Sequence, residues 1–230
     1  MSELQKQAAG EAAAELVESG MTVGLGTGST AAWFVKALGR RVAEGLEVRG
    51  VPTSEATAAL ARELGIELVE LDVVGDLDLT VDGADEIGPG LALIKGGGGA
   101  LLREKLVWEA SRRCVVIADA AKRVPTLGAF PLPIEVVAFG HRKTANRIAD
   151  VLADHEIATV ARLRQRDGRP VLTDGGNLIY DAACGRIEQA AALAADLKGL
   201  TGVVEHGLFL DLADSALIGG ADGGVEHLTP

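Results

Sequence analysis

Short apolar runs alternate with helical stretches through the first 118 residues, and nothing else in the chain narrows its fold as much. Leu4, Ala8, Ala12 and Leu16 share one helical face, with Ser2 as a candidate N-cap and Gly20 as a stop. A strand is expected at Thr22–Leu25, then a glycine-rich turn and a helix over Ser29–Leu38 that ends near Gly39. Strand Val48–Val51 leads through Pro52, Thr53 and Ser54 into a helix over Glu55–Leu64. Apolar runs at Glu67–Leu71, Leu77–Val81, Leu91–Ile94 and Cys114–Ala118 follow, with one helix, Ala100–Ser111, among them. Strands separated by helices return in the same direction, so an α/β fold is expected, with a mainly parallel sheet and helices on both faces.

Past Pro125 the pattern changes. Pro131 and Pro133 bracket a strand start before the apolar run Ile134–Ala138, and a helix is expected over Lys143–Ala153. Asp167-Gly168, between Ala158–Leu163 and Pro170–Leu172, is a hairpin signal. Asn177–Tyr180, a helix over Ile187–Leu197 and a strand at Val203–Val204 complete a smaller α+β domain. The runs Gly207–Leu210 and Ser215–Ile218 are expected to return to the first sheet. The domains are accordingly 1–129 with 206–230, and 130–205.

Charge and composition exclude several functions. With 33 acidic and 22 basic residues the net charge is −11, which disfavours nucleic acid or an anionic membrane as partner. Aromatic residues are 3% of the chain, too few for base-stacking platforms. The N-terminal segment has no signal-peptide pattern and no uncharged run suits a bilayer span, so a cytoplasmic protein is expected. Cys114 and Cys184 belong to no CxxC or Cys/His cluster and are read as reduced thiols.

Three clusters carry candidate chemistry. GLGTGSTA, Gly24–Ala31, sets backbone N–H groups and the hydroxyls of Thr27, Ser29 and Thr30 around Gly28 at a helix start, which suits a phosphate. Gly26, Gly28 and Ala31 also fit the dinucleotide pattern G-x-G-x-x-A, but the acidic residue expected at the end of the next strand is missing there; Glu55 comes only after the turn. VDGADEI places Asp82, Gly83, Ala84 and Asp85 at a strand's C-terminal end; paired carboxylates suit proton handling in sugar-ring opening, and a solvated acidic turn is the equal alternative. Oxygen ligands for Mg²⁺ exist there without a dedicated cage. In KGGGGALLREK, Lys95 follows an apolar run expected to end at the same sheet edge, then Gly96, Gly97, Gly98 and Gly99. Glu104 lies one turn into the next helix; partly shielded, it suits a general base, and taken alone it is more simply an exposed glutamate paired with Arg103 or Lys105. Lys122 in IADAAK is a further candidate for phosphate. The four histidines show no metal-ligand spacing, and no metal or cofactor is expected.

Taken in order, GTGSTA, DGADEI, KGGGGALLREK, IADAAK, FPLPIEV, TDGGN and GVVEHGLF closely resemble the type A ribose-5-phosphate isomerase family across nearly the whole chain. The resemblance implies a Rossmann-like larger domain, a homo-oligomer (dimer or tetramer) and metal-independent interconversion of ribose 5-phosphate and ribulose 5-phosphate. It places the catalytic base on Glu104 and catalytic roles on Asp82, Asp85 and Lys95. Substrate-binding segments fall on Thr27–Thr30, Asp82–Asp85 and Lys95–Gly98, with Lys122. Gly99 stands where the family often has alanine, and Leu102 where a small polar residue is frequent. Competing readings are an amino-sugar phosphate deaminase, which favours a histidine near the carboxylates, and a sugar-phosphate sensor, which needs a DNA-binding segment.

Overall fold

The computed structural model describes residues 3–230; Ser2, the candidate N-cap, lies outside them. In chain order the first elements are α1 (Glu3–Ala14), β1 (Thr22–Leu25), α2 (Ala31–Ala43), β2 (Arg49–Pro52), α3 (Glu55–Glu63), β3 (Glu67–Leu68) and β4 (Leu79–Gly83). Next come β5 (Glu86–Ile87), β6 (Leu93–Ile94), α4 (Leu101–Glu109) and β7 (Cys114–Asp119). Then follow β8 (Leu132–Val136), α5 (His141–Asp154), β9 (Arg162–Leu163), β10 (Gln165–Arg166), β11 (Arg169–Pro170) and β12 (Leu178–Ala182). The chain ends with α6 (Ala190–Lys198), β13 (Val203–His206), β14 (Leu208–Phe209), β15 (Ser215–Gly219) and β16 (Val225–Leu228).

The chain divides into two compact units. The first holds the residues up to Ala84, Arg103–Arg123 and Asp211–Pro230; the second holds Asp85–Leu102 and Val124–Leu210. Residues 85–102, 124–129 and 206–210, placed with the larger domain on sequence, group with the second unit.

Unit one is built on a seven-stranded sheet of order β16-β15-β7-β4-β1-β2-β3, parallel except for the β15–β16 hairpin. Every residue of β1 and of β7 is buried, as expected of strands covered on both faces. Phe34, Leu38 and Val35 of α2 pack with Val23, Leu25, Val81, Val115 and Ile117 in one core, each large side chain contributing about 1.5–3 kcal/mol by leaving water. Gly39 does not stop α2. A methyl there would lie 2.7 Å from Leu64 Cβ, so this glycine serves the close approach of α2 to the end of α3.

Unit two holds a four-stranded antiparallel sheet of order β13-β8-β12-β9. Leu132, Ile134 and Val136 alternate along β8 and pack with Ile148 and Leu152 of α5 and Leu193 and Leu197 of α6. The strand expected at Ile134–Ala138 starts earlier, at Leu132. Pro133 fits inside it because the pairing with β13 begins at Ile134 and Pro133 only accepts there, from the Gly207 N–H at 2.8 Å. Asp167-Gly168 does turn the small β10–β11 hairpin. The tail divides: β15 joins the large sheet beside β7, whereas β14 pairs with β6 in a separate three-stranded sheet of order β14-β6-β5. The apolar run before Lys95 therefore belongs to this small antiparallel sheet and not to the large parallel one. The edge strand β16, with no apolar periodicity, was not foreseen. No helix among the described residues is long and apolar enough to cross a membrane.

Candidate active site

In unit one, β1 runs straight into the glycine turn. The Gly26 N–H donates to Val81 O at 3.0 Å, tying the turn to the end of β4. Asp82, fully buried at that strand end, takes the Thr27 N–H at 3.0 Å and the Gly83 N–H at 2.7 Å on Oδ1. Two backbone donors on one oxygen fix the carboxylate's orientation. Gly26 is required by space: a methyl would stand 2.3 Å from Asp82 Oδ1 and 2.5 Å from its Cα.

Thr27 turns its hydroxyl inward. It lies 2.7 Å from Thr53 Oγ1, 2.8 Å from Ser54 Oγ and 3.2 Å from Thr57 Oγ1, while Thr57 Oγ1 donates to Gly26 O at 2.9 Å. Ser54 also caps α3 by accepting the Thr57 N–H at 3.1 Å. This hydroxyl cluster is absent from the sequence reading, where Thr53 and Ser54 only lead from the strand into the helix. Gly28 and Ser29 are exposed and Thr30 is half-buried. Thr30 occupies the N-cap of α2 without a side-chain bond to the helix, so α2 begins at Ala31 and not at Ser29. The N–H groups of Gly28, Ser29, Thr30 and Ala31 have no hydrogen-bond partner among the described residues, which leaves four donors at the positive end of a helix.

Glu104 is 3% exposed in the first turn of α4. It is not the solvated glutamate its neighbours suggested; Lys105 is itself buried, and Arg103 pairs with Glu55 at 2.9 Å. Lys122 is half-buried at the end of a short turn, Ala120–Lys122, whose Ala121 N–H is held by Asp119 Oδ1 at 3.0 Å.

In unit two, Lys95 is 2% exposed; its N–H donates to Gly207 O at 2.9 Å and its Nζ lies 5.4 Å above the Phe209 ring. Asp85, like Ala84 at the end of unit one's first segment, is half-buried, and Asp85 Oδ2 accepts the Gly97 N–H at 2.7 Å. Gly96 is buried, and Gly97 and Gly98 are exposed. Gly99 has φ +86°, a backbone that glycine adopts without strain. Within unit one the fold brings together Thr27, Asp82 and Gly83; within unit two it brings together Asp85 and Gly97. Cys114 and Cys184 form no disulfide, and burial pushes the Cys184 thiol up to about 11.

A Rossmann-like sheet, a glycine turn with open N–H donors at a helix start, and buried carboxylates at strand and helix ends define an α/β enzyme for a small anionic substrate. Residues 49–223 match the family Ribose 5-phosphate isomerase A (phosphoriboisomerase A). The chain is 70% identical to the ribose-5-phosphate isomerase A of Caulobacter vibrioides over 98% of each chain. It is similar to the solved ribose 5-phosphate isomerase of Plasmodium falciparum, with TM-score 0.93 and 38% identity over 100% of this chain and 99% of that one. A further solved ribose-5-phosphate isomerase, in complex with phospho-erythronic acid, matches with TM-score 0.90 and 37% identity over 98% and 97% of the two chains. The chain belongs to the ribose 5-phosphate isomerase A family: it is an isomerase, and its substrate is the sugar phosphate ribose 5-phosphate.

Proposed function

We propose that the chain interconverts D-ribose 5-phosphate and D-ribulose 5-phosphate through an enediolate, with Glu104 as the general base and with no metal ion or cofactor. The observation that carries the reading is the burial of Glu104, 3% exposed in the first turn of α4. In the forward direction Glu104 takes the proton from C2 of the open-chain aldose, and the electron pair released forms the C1–C2 double bond and leaves the C1 oxygen as the enediolate oxyanion. The C2 hydroxyl proton passes to that oxygen, the C2 carbonyl forms, and the same carboxyl group returns its proton to C1, leaving the ketose. Lys95 and the open backbone donors stabilise the oxyanion stage more than the ground state. Asp82 and Asp85 assist ring opening and orient the hydroxyls. Thr27–Thr30, Asp82–Asp85, Lys95–Gly98 and Lys122 form the binding segments; the inward bonds of Thr27 assign its side chain to holding the turn and leave its neighbours Ser29 and Thr30 for the phosphate. Family membership supports the rest of the proposal: a catalytic domain of 1–129 with 206–230 beside a smaller domain of 130–205, a homodimer or tetramer, a cytoplasmic location and a place in the non-oxidative pentose phosphate pathway.

The test is ribulose 5-phosphate formation in chelator-treated buffer by the unmodified chain and by Glu104→Gln. The unmodified chain is expected to turn over, and the variant to lose about 10²- to 10⁴-fold in kcat while still binding the sugar phosphate. Equal turnover by both removes Glu104 as base; loss of the parent's activity on chelation removes metal independence.

A further inference from the structure

The run Gly96–Gly99 has no side chains with which to hold itself, yet a loop that stabilises an oxyanion must present its N–H groups in one direction. Arg164, in the single residue between β9 and β10, reaches it. Its Nη1 donates to Gly96 O at 2.9 Å and to Gly97 O at 3.2 Å. The same guanidinium makes a two-point ion pair with Asp181 on β12, Nε to Oδ2 at 2.8 Å and Nη2 to Oδ1 at 2.5 Å. Both side chains are largely buried, at 16% and 26% exposure. The backbone of Arg164 is fixed as well, its N–H on Ile179 O at 2.8 Å and its O accepting from Val171 N at 3.0 Å.

All peptide bonds among the described residues are trans, so the C=O and N–H of one peptide point in opposite directions. The 96–97 peptide is held at both ends, its oxygen by Arg164 and its N–H by Asp85 Oδ2. The 97–98 peptide is held at its oxygen only. Its N–H, that of Gly98, therefore points away from the guanidinium and has no hydrogen-bond partner among the described residues.

The geometry points to Arg164, locked by Asp181, as a positioning residue that aims the Gly98 N–H at an oxygen of the substrate. This inference rests on the reading of Lys95–Gly98 as a substrate-binding segment. Arg164 touches no substrate atom; it acts through the two carbonyls. Lysine keeps the charge but lacks the planar fork that spans Asp181 and both carbonyls.

The test compares Arg164→Gln, Arg164→Lys, Asp181→Asn and Lys95→Met. The measurements are kcat and KM for ribose 5-phosphate, inhibition by phospho-erythronic acid, whose carboxylate mimics the charged oxygens of the enediolate, and the melting temperature. For folded Arg164→Gln the expected result is a kcat about 10- to 100-fold lower, KM within about threefold of the parent, and inhibition weakened by the same factor as kcat/KM. Arg164→Lys and Asp181→Asn are expected to fall between the two, and they carry the test if Arg164→Gln does not fold. A merely structural role would lower the melting temperature and leave kcat of the folded protein unchanged; that result in Arg164→Lys and Asp181→Asn overturns the inference. If Lys95→Met is impaired and the Arg164 and Asp181 variants are not, the positioning role alone falls. If Lys95→Met is also unimpaired, the substrate segment itself is misassigned and the inference falls with it.

Discussion

Replacing Gly26 with alanine tests whether the glycine turn and Asp82 are packed to contact. The added methyl would lie 2.3 Å from Oδ1, 2.4 Å from Cγ and 2.5 Å from Cα of Asp82. Rotating the carboxylate relieves only the first two contacts, because Cα belongs to the backbone; the turn and the end of β4 must separate. Overpacking of this kind costs about 1–3 kcal/mol. The separation also loosens the Gly26–Val81 bond, worth about 1 kcal/mol, and the Thr27–Asp82 bond to a charged acceptor, worth about 1.5–3 kcal/mol. These share one displacement and do not add in full, so the expected loss is about 3 kcal/mol, or about 6–12 °C in melting temperature for a chain of this size. A shift of Asp82 by about 1 Å is expected to lower kcat about 10²-fold. The control is Gly20→Ala, at φ +92° with nothing within 4 Å of the new methyl. It carries only a backbone cost of about 1–2 kcal/mol and leaves turnover unchanged. Thermal unfolding by circular dichroism and a ribulose 5-phosphate assay read both. If Gly26→Ala melts within about 2 °C of the control and keeps its kcat, the contact argument is refuted.

Two further outcomes follow from the same structure. Ser54→Ala removes the α3 cap and one neighbour of the Thr27 hydroxyl, so urea unfolding should show a loss of about 1–2 kcal/mol, and KM should rise more than kcat falls. Cys184, its thiol raised from 9.0 to about 11, should alkylate slowly at neutral pH, with the rate climbing about tenfold per pH unit until the thiol ionises. The folded thiol keeps a proton that the unfolded one has released, so its contribution to stability falls as pH rises from about 9 to about 11; denaturation midpoints that stay flat in Cys184→Ala but decline in the parent check the sign.

The central strands of the large sheet were legible because they are short, apolar and buried on both faces; Thr22–Leu25 and Cys114–Asp119 announce themselves by composition. The small sheets were not. A two-residue strand such as Leu93–Ile94 has no period to read, and its partner Leu208–Phe209 lies far along the chain. Gly39 was misread because local propensity favours a helix stop, whereas close packing against Leu64 decides the position. At the candidate site, the glycine turn, DGAD and KGGGG stood out as motifs. The burial of Glu104 did not, since its neighbours in sequence are charged and its surroundings are set by how α4 packs. Arg164 left no local trace at all: it meets Gly96 from 68 positions away, and nothing about an arginine beside a hairpin names the carbonyl it will hold.

The strand order of the large sheet bears on how a ribosome delivers this protein. Its central strands β1, β4 and β7 are finished by Asp119, before most of the second unit is synthesised, but β15 and β16, which cover the β7 edge, follow that unit in the chain. Every residue of the second unit precedes Asp211, so that unit is complete while the first still lacks one side of its sheet. Domains usually mature from the N-terminus as they emerge. Here the N-terminal strands must wait with an open β7 edge until Ser215–Gly219 emerges, and that interval is when the nascent chain is most exposed to mispairing and to chaperone capture.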